Sequence, residues 1–101
     1  MKIWLDDKRE PPDETWAWAR DYKDAVALME CNKIDFVSFD HDLGRGRTGY
    51  DVACKVEELA HRGAIGRFGW DVHSQNPVGA VRIQSAMLAI DEIWNRRSGK
   101  G

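Results

Sequence analysis

Four short, largely apolar stretches of the chain are predicted to be β-strands, and TWAWAR among them alternates in the manner of a strand. The stretches are KIWL, TWAWAR, IDFVSFD and GWDVHS, which cover residues 2–5, 15–20, 34–40 and 69–74. Elsewhere apolar residues recur every three to four positions, which is typical of one face of an α-helix. The pattern therefore predicts the order strand, strand, helix, strand, helix, strand, helix.

Capping residues mark where the predicted helices begin. Asp21 precedes the first helix, and Thr48 precedes the second, with Asp51 at its third position. Asn76 and Pro77 open the third helix, since proline is well suited to a first helical position. The buried faces are expected to include Ala25, Val26, Leu28 and Met29, then Val52, Val56, Leu59 and Ala60, then Val78, Val81, Met87, Ile90 and Trp94.

Alternation of strands with helices implies right-handed crossovers and a mostly parallel sheet. We therefore predict one small three-layer α/β domain over residues 1–101, with a four-stranded sheet. The first connection contains Pro11 and Pro12 and lacks room for a helix. Residues 95–101 are polar and are expected to fray beyond the last helix.

Composition narrows the range of functions. The chain has 101 residues, of which 43% are hydrophobic and 32% are charged, as in a globular domain with one modest core. No apolar run reaches membrane-spanning length, so we expect a cytoplasmic protein without a membrane partner. A formal net charge of −2 gives no general attraction to duplex DNA. Cys31 and Cys54 are expected to be small core residues in a reducing compartment.

Polar clusters follow the first, third and fourth predicted strands. The carboxyl ends of parallel strands open onto one edge of a sheet, where ligands bind, so these clusters are expected to meet there. The three clusters are Asp6 and Asp7, then Asp40, His41 and Asp42, then His73, Ser74 and Asn76.

Carboxylates that lie close together repel one another unless a proton or a cation lies between them. Asp6, Asp7 and Asp40 are therefore predicted to hold a divalent metal ion, Mg²⁺ or Mn²⁺. If His41 or His73 is a ligand, Mn²⁺ or Zn²⁺ is favoured instead. The alternative is that the acids cap turns and pair with nearby arginines, namely Arg9, Arg45 and Arg47.

Groups suited to binding an anion lie beside the predicted acidic edge. The helix after Asn76 has free N–H groups in its first turn, and Gly79 leaves room for an anion to approach. Further phosphate contacts are expected from Lys8, Arg9, Ser74 and Asn76. His41 and His73 are candidate general acid and base groups, because imidazole titrates near neutral pH.

Four motifs occur in order between residues 4 and 79, namely WLDDKREPP, DHDLG, TGYDV and HSQNPVG. The paired acids after the first strand and Asp40 after the third resemble the receiver domain of response regulators. The full set closely resembles the cyclic-phosphate-processing receiver domains of bacteria and their phages. The resemblance implies a receiver-like, flavodoxin-like fold that is truncated after the helix following the fourth strand. It places Asp6, Asp7, Asp40, His41, Asp42, His73, Ser74 and Asn76 on the family's pocket.

The chain also departs from an ordinary receiver. The essential lysine on the fifth strand of a receiver has no counterpart, whereas His41, Asp42 and His73 are additions that a receiver does not need. These differences favour processing of a cyclic phosphate over signalling by phosphorylation of Asp40.

The leading hypothesis is a metal-assisted phosphoesterase that acts on cyclic phosphates of nucleotides or RNA ends. Asp40, or water activated by the ion, attacks phosphorus, and His41 and His73 move protons. Asp42 orients a histidine or joins the metal shell. The rival hypothesis is a non-catalytic receiver-like module that binds a cyclic nucleotide or a protein partner.

Overall fold

A computed structural model describes the backbone of residues 1–99 and the side chains of residues 1–97. The four strands are β1 (Lys2–Leu5), β2 (Trp16–Ala19), β3 (Phe36–Phe39) and β4 (Gly69–Val72). The three helices are α1 (Tyr22–Cys31), α2 (Gly49–His61) and α3 (Pro77–Gly99). The predicted order of strands and helices is confirmed.

The helix starts follow from side chains that satisfy free backbone N–H groups. At α2, Thr48 Oγ1 accepts a hydrogen bond from the N–H of Asp51 at 3.4 Å. The Asp51 carboxylate accepts one from the N–H of Thr48 at 2.7 Å, which completes a capping box. At α3, Asn76 Oδ1 accepts from the N–H of Gly79 at 3.0 Å. The predicted caps of both helices are confirmed.

The sheet is parallel throughout, with the strand order β2-β1-β3-β4. In its register, Ile3 of β1 lies between Ala17 of β2 and Val37 of β3. Strands β1, β3 and β4 are consecutive neighbours, and their carboxyl ends lie at the same edge. The connection at residues 6–15 contains no helix, as predicted.

The three helices form one layer, which packs against one face of the sheet. Four strand residues on this covered face are completely buried, namely Ile3, Leu5, Val37 and Phe39. Helix α2 lies between α1 and α3. The other face, which we call the open face, consists of Lys2, Trp4, Trp16, Trp18, Phe36, Ser38, Gly69 and Asp71. No helix of residues 1–99 covers it, so the expected third layer is missing because the β1–β2 connection is a loop.

Two predictions of burial are wrong. Cys31 and Cys54 are exposed rather than part of the core. On α3, Val78 and Val81 are 71% and 59% exposed. They precede Ile83 by five and two residues, which turns them to the opposite side of the helix. The buried stripe of α3 instead consists of Ile83, Met87, Ile90, Ile93 and Trp94.

Helix α3 extends to Gly99, and fraying from residue 95 stays a prediction. Trp94 Nε1 donates a hydrogen bond to the carbonyl of Ile65 at 3.1 Å, and Arg97 donates to the carbonyl of His61 at 3.2 Å. These bonds attach the last turns of α3 to α2 and the segment after it. Residues 100 and 101 lie outside the described residues. Within the described part, none of the helices is long and apolar enough to span a membrane.

Candidate functional site

The ends of three neighbouring strands bring Asp6, Asp40 and His73 together. One ligand atom from each of these side chains lies within 4.8 Å of the others, and we call this group the acidic cluster. Backbone bonds extend the ladder to the cluster, since Asp40 donates to Leu5 at 2.9 Å and His73 donates to Phe39 at 2.9 Å. The predicted convergence of these strand ends is confirmed. Asp7 lies outside the group of atoms within 4.8 Å, although it lines the neighbouring cleft.

Asp6 is the most heavily bonded member of the acidic cluster and is only 1% exposed. Its Oδ1 accepts from the backbone N–H groups of Lys8 and Arg9, both at 2.8 Å. Its Oδ2 lies 3.0 Å from Arg9 Nε and 3.0 Å from His73 Nε2. Burial acts to raise the pKa of Asp6, but these hydrogen bonds outweigh it and lower the pKa. Asp6 therefore caps a turn and pairs with Arg9, as the alternative hypothesis proposed.

Asp40 has fewer compensating partners. It accepts hydrogen bonds from the backbone N–H of His41, at 2.8 Å, and from the Ser74 hydroxyl. Burial raises the pKa of Asp40, and the negative charge of Asp6 raises it further. Arg9 Nη2 approaches Asp40 only to 4.0 Å. A positive charge placed beside Asp40 would therefore stabilise its carboxylate form electrostatically.

His73 is held by a chain of side chains that crosses the open face. The Ser38 hydroxyl donates to the Asp71 carboxylate, and Ser38 Oγ lies 2.8 Å from His73 Nδ1. Because the hydroxyl has one proton, Ser38 accepts from Nδ1–H of His73 when it donates to Asp71. The imidazole also stacks on Trp4, with ring centroids 3.9 Å apart and an interplanar angle of 6°. These contacts direct His73 Nε2 towards Asp6.

Sequence reasoning missed Ser38 and Asp71. The available signal was a hydroxyl residue inside the apolar strand β3, between Val37 and Phe39. Ser38 is 2% exposed, and a buried hydroxyl needs a hydrogen-bond partner. Its partners come from residues 33 and 35 positions away, so the sequence by itself did not identify them.

A cleft of about 460 Å³ opens beside the acidic cluster. Its lining combines acids and cations, namely Asp6, Asp7, Lys8, Arg9, Asp40, Asp42, Gly44 and Gln75. Its size is typical of sites for small ligands. Lys8 and Arg9, which were predicted to bind phosphate, therefore line the same cleft as the predicted metal ligands.

His41 lies outside the acidic cluster and forms a second group with Asp42. His41 Nδ1 is 2.9 Å from the Asp42 carboxylate, which also accepts from Asn76 Nδ2 at 3.3 Å. The bonds from His41 and Asn76 lower the pKa of Asp42. A Cβ atom at Gly79 would lie 2.3 Å from His41 Cγ, so the imidazole occupies the room that was predicted for an anion. This group fixes the start of α3 beside the cleft.

Ser74 and Asn76 likewise support other side chains of the site. Ser74 donates to Asp40 and accepts from the backbone N–H of Asn76 at 3.0 Å. Asn76 bridges Asp42 and the first turn of α3. Their hydrogen bonds orient Asp40 and Asp42, which are two of the four carboxylates that line the cleft.

Residues 1–89 match the family model of the cyclic-phosphate processing receiver domain. The chain belongs to this family. The matched region contains the whole sheet, the acidic cluster and the cleft, and it confirms the receiver-like α/β fold class. The family name indicates the processing of cyclic phosphates by a domain with the receiver fold. No curated protein and no solved structure matches the chain.

Proposed function

We propose that this receiver domain is a metal-assisted phosphoesterase that acts on cyclic phosphates of nucleotides or RNA ends. The observation that carries the proposal is the acidic cluster, in which buried Asp40 lies beside Asp6 with incomplete charge compensation. The cleft next to it adds Lys8 and Arg9, which are suited to phosphate oxygens. The family match supports cyclic phosphates as the substrate class.

The donor set of the acidic cluster fits a divalent ion. Two carboxylates and one imidazole with atoms within 4.8 Å suit Mn²⁺, and Mg²⁺ fits if Nε2 of His73 remains bonded to Asp6 and is not a ligand. Asp6 would hold the ion in place of Arg9 or His73, since its oxygens already have four partners. Asp7 extends the set of carboxylates from the lining of the cleft. When bound, the ion polarises a phosphoryl oxygen and lowers the pKa of bound water.

Chain residues supply binding and proton transfer. Arg9, once displaced from Asp6, contacts phosphate with Lys8 from the edge of the cleft. His73 is oriented by Ser38 and accepts or donates a proton at Nε2. The pair of His41 and Asp42 is the second proton-transfer group, with Asp42 on the cleft wall.

The test is turnover of 2′,3′-cyclic mononucleotides and cyclic dinucleotides, with and without Mn²⁺, followed by the mass of the products. Hydrolysis adds one water to each phosphodiester that opens. We expect activity to fall at least about 100-fold in Asp40→Ala and in the presence of EDTA. Glu30→Ala, which changes an exposed carboxylate on α1, is the matched control and retains activity. Undiminished turnover both in Asp40→Ala and in chelator would remove the metal mechanism.

A second candidate is a module that binds a cyclic nucleotide, or a protein partner, without cutting. The saturated hydrogen bonding of Asp6 favours it, because Arg9 balances the charge of Asp6 and four groups contact its oxygens without a metal ion. Tight binding of a cyclic nucleotide with quantitative recovery of the unchanged ligand supports this candidate. Stable labelling of Asp40 by acetyl phosphate would instead indicate a phospho-receiver.

A further inference from the structure

We propose that the open face of the sheet binds the bases of a single-stranded RNA end whose cyclic phosphate enters the cleft. This inference rests on the proposed function for the identity of the phosphate group. The inference distinguishes between two classes of ligand, namely RNA ends, whose bases would bind the open face, and cyclic phosphates that carry no base.

Four aromatic rings form a continuous row along the open face, which we call the aromatic row. The row is His73, Trp4, Trp16 and Phe36, with successive ring centroids 3.9, 5.7 and 5.9 Å apart. Each of these side chains is partly exposed. Phe36 lies against Gly69, where a Cβ atom would be 2.8 Å from the ring, so the glycine of β4 provides space for it.

The aromatic row begins inside the phosphate site. His73 belongs to the acidic cluster through Asp6, at 3.0 Å, and to the aromatic row through its stacking on Trp4. Trp4 is also fixed to the loop that lines the cleft, since its Nε1 donates to the carbonyl of Arg9 at 2.9 Å. A nucleotide with its phosphate in the cleft therefore has an aromatic surface directly beside it.

Cations lie among the rings and complement a polynucleotide. Lys2 Nζ is 4.4 Å from the centroid of Trp16, and Arg20 Cζ is 4.4 Å from that of Trp18 on the same edge strand. The Asp71 carboxylate on this face is already bonded to Ser38. Phosphates bring the opposite charge to Lys2 and Arg20, whereas a second copy of the chain would bring the same two cations.

Aromatic side chains on an open sheet face are an established means of binding single-stranded RNA. Bases stack on the rings, and nearby basic groups bind the backbone. The covered face shows the contrast, because its buried strand residues Ile3, Leu5, Val37 and Phe39 pack against helices and are mainly aliphatic. The aromatic row thus has the composition of a base-binding surface rather than of a helix-packing surface.

The test compares a trinucleotide that ends in a 2′,3′-cyclic phosphate with glycerol 1,2-cyclic phosphate, which has no base. Binding is measured by calorimetry and by quenching of tryptophan fluorescence. We expect Trp16→Leu to weaken binding of the trinucleotide about tenfold and to leave the glycerol compound unaffected. Trp16→Phe keeps an aromatic ring and restores most of the affinity. Leu88→Ala, at a side chain of α3 that is 59% exposed, is the control and changes neither.

Salt dependence tests the contribution of the cations. Lys2→Gln should reduce the slope of log affinity against log salt by about one for the trinucleotide, as expected for one lost phosphate contact. Circular dichroism of each variant establishes that it is folded. An unchanged slope in a folded Lys2→Gln variant would contradict the assignment of Lys2.

The outcomes separate the two proposals. Trinucleotide binding that depends on Trp16, without turnover of any substrate, retains the base site and removes the phosphoesterase. Turnover of cyclic phosphates with equal trinucleotide affinity in the wild type and Trp16→Leu removes the base site and retains the phosphoesterase. A dimer in sedimentation that Trp16→Leu dissociates would show that a second copy covers the open face, and would overturn the base site.

Discussion

The two faces of one small sheet have opposite chemistry. On the covered face, Val37 and Phe39 are completely buried against helices, whereas on the open face Phe36 and Ser38 contact rings, a carboxylate and an imidazole. These four residues are consecutive in β3, so the alternation of side chains along a strand separates the two roles. A four-residue strand therefore serves stability with one face and the site with the other.

The largest effect is expected on the covered face. Phe39→Ala should lower the free energy of unfolding by about 3–5 kcal/mol, because it leaves a cavity among buried side chains. Phe36→Ala, the matched change on the open face of the same strand, should cost only about 1 kcal/mol. Urea denaturation of both variants measures the difference. Equal losses would mean that the open face is packed as tightly as the covered one.

A smaller effect is expected at Ser38, which lies on the open face but is buried. Ser38→Ala removes the hydroxyl between Asp71 and His73 and should cost about 1–3 kcal/mol in urea denaturation. The ¹⁵N signals of the His73 ring should also shift, because Nδ1 loses its partner.

Ser85→Ala, on the exposed side of α3, is the matched control and should change stability by less than about 0.5 kcal/mol. An unaltered imidazole spectrum in Ser38→Ala would show that Ser38 does not hold His73.

The smallest effect concerns the pH dependence of stability. The pKa of Asp40 is raised in the folded protein by burial and by Asp6, so stability falls as pH rises through that raised pKa. Asp40→Asn removes this loss and should stabilise the protein at pH 7 by an amount on the order of 1 kcal/mol. Urea denaturation between pH 3 and pH 7, in roughly unit steps, measures it.

The pKa of Asp6 is shifted in the opposite direction to that of Asp40, so the two carboxyl groups should affect the pH dependence of stability in opposite ways. Its hydrogen bonds outweigh burial and lower its pKa, so its contribution is present above the ordinary pKa of aspartate and is lost as pH falls through the lowered value. Asp6→Asn should therefore reduce the loss of stability that occurs as pH falls below the ordinary pKa of aspartate. If the two variants shift stability in the same direction at pH 7, the assigned pKa directions are wrong.

The sequence predicted those features that depend on local spacing. Thr48 and Asp51 lie three residues apart and form the capping box without help from distant residues. Parallel topology predicted that Asp6, Asp40 and His73 lie close together, because the carboxyl ends of parallel strands lie at the same edge of the sheet.

Features that depend on pairing between distant segments were not predicted. The bonds of Ser38 to Asp71 and His73 require the register of β3 against β4, which no local pattern specifies. His41 was expected in the pocket with its neighbours, but its ring packs on Gly79 because α3 passes close to that turn.

Asp6 has two structural roles, one in the loop after β1 and one in the acidic cluster. The same carboxylate anchors the backbone turn at Lys8 and Arg9 and belongs to the acidic cluster. Loss of activity in Asp6→Ala would therefore not distinguish a disrupted loop from the loss of a carboxylate in the acidic cluster. Replacement of Asp6 would therefore alter the turn at Lys8 and Arg9 and the acidic cluster together.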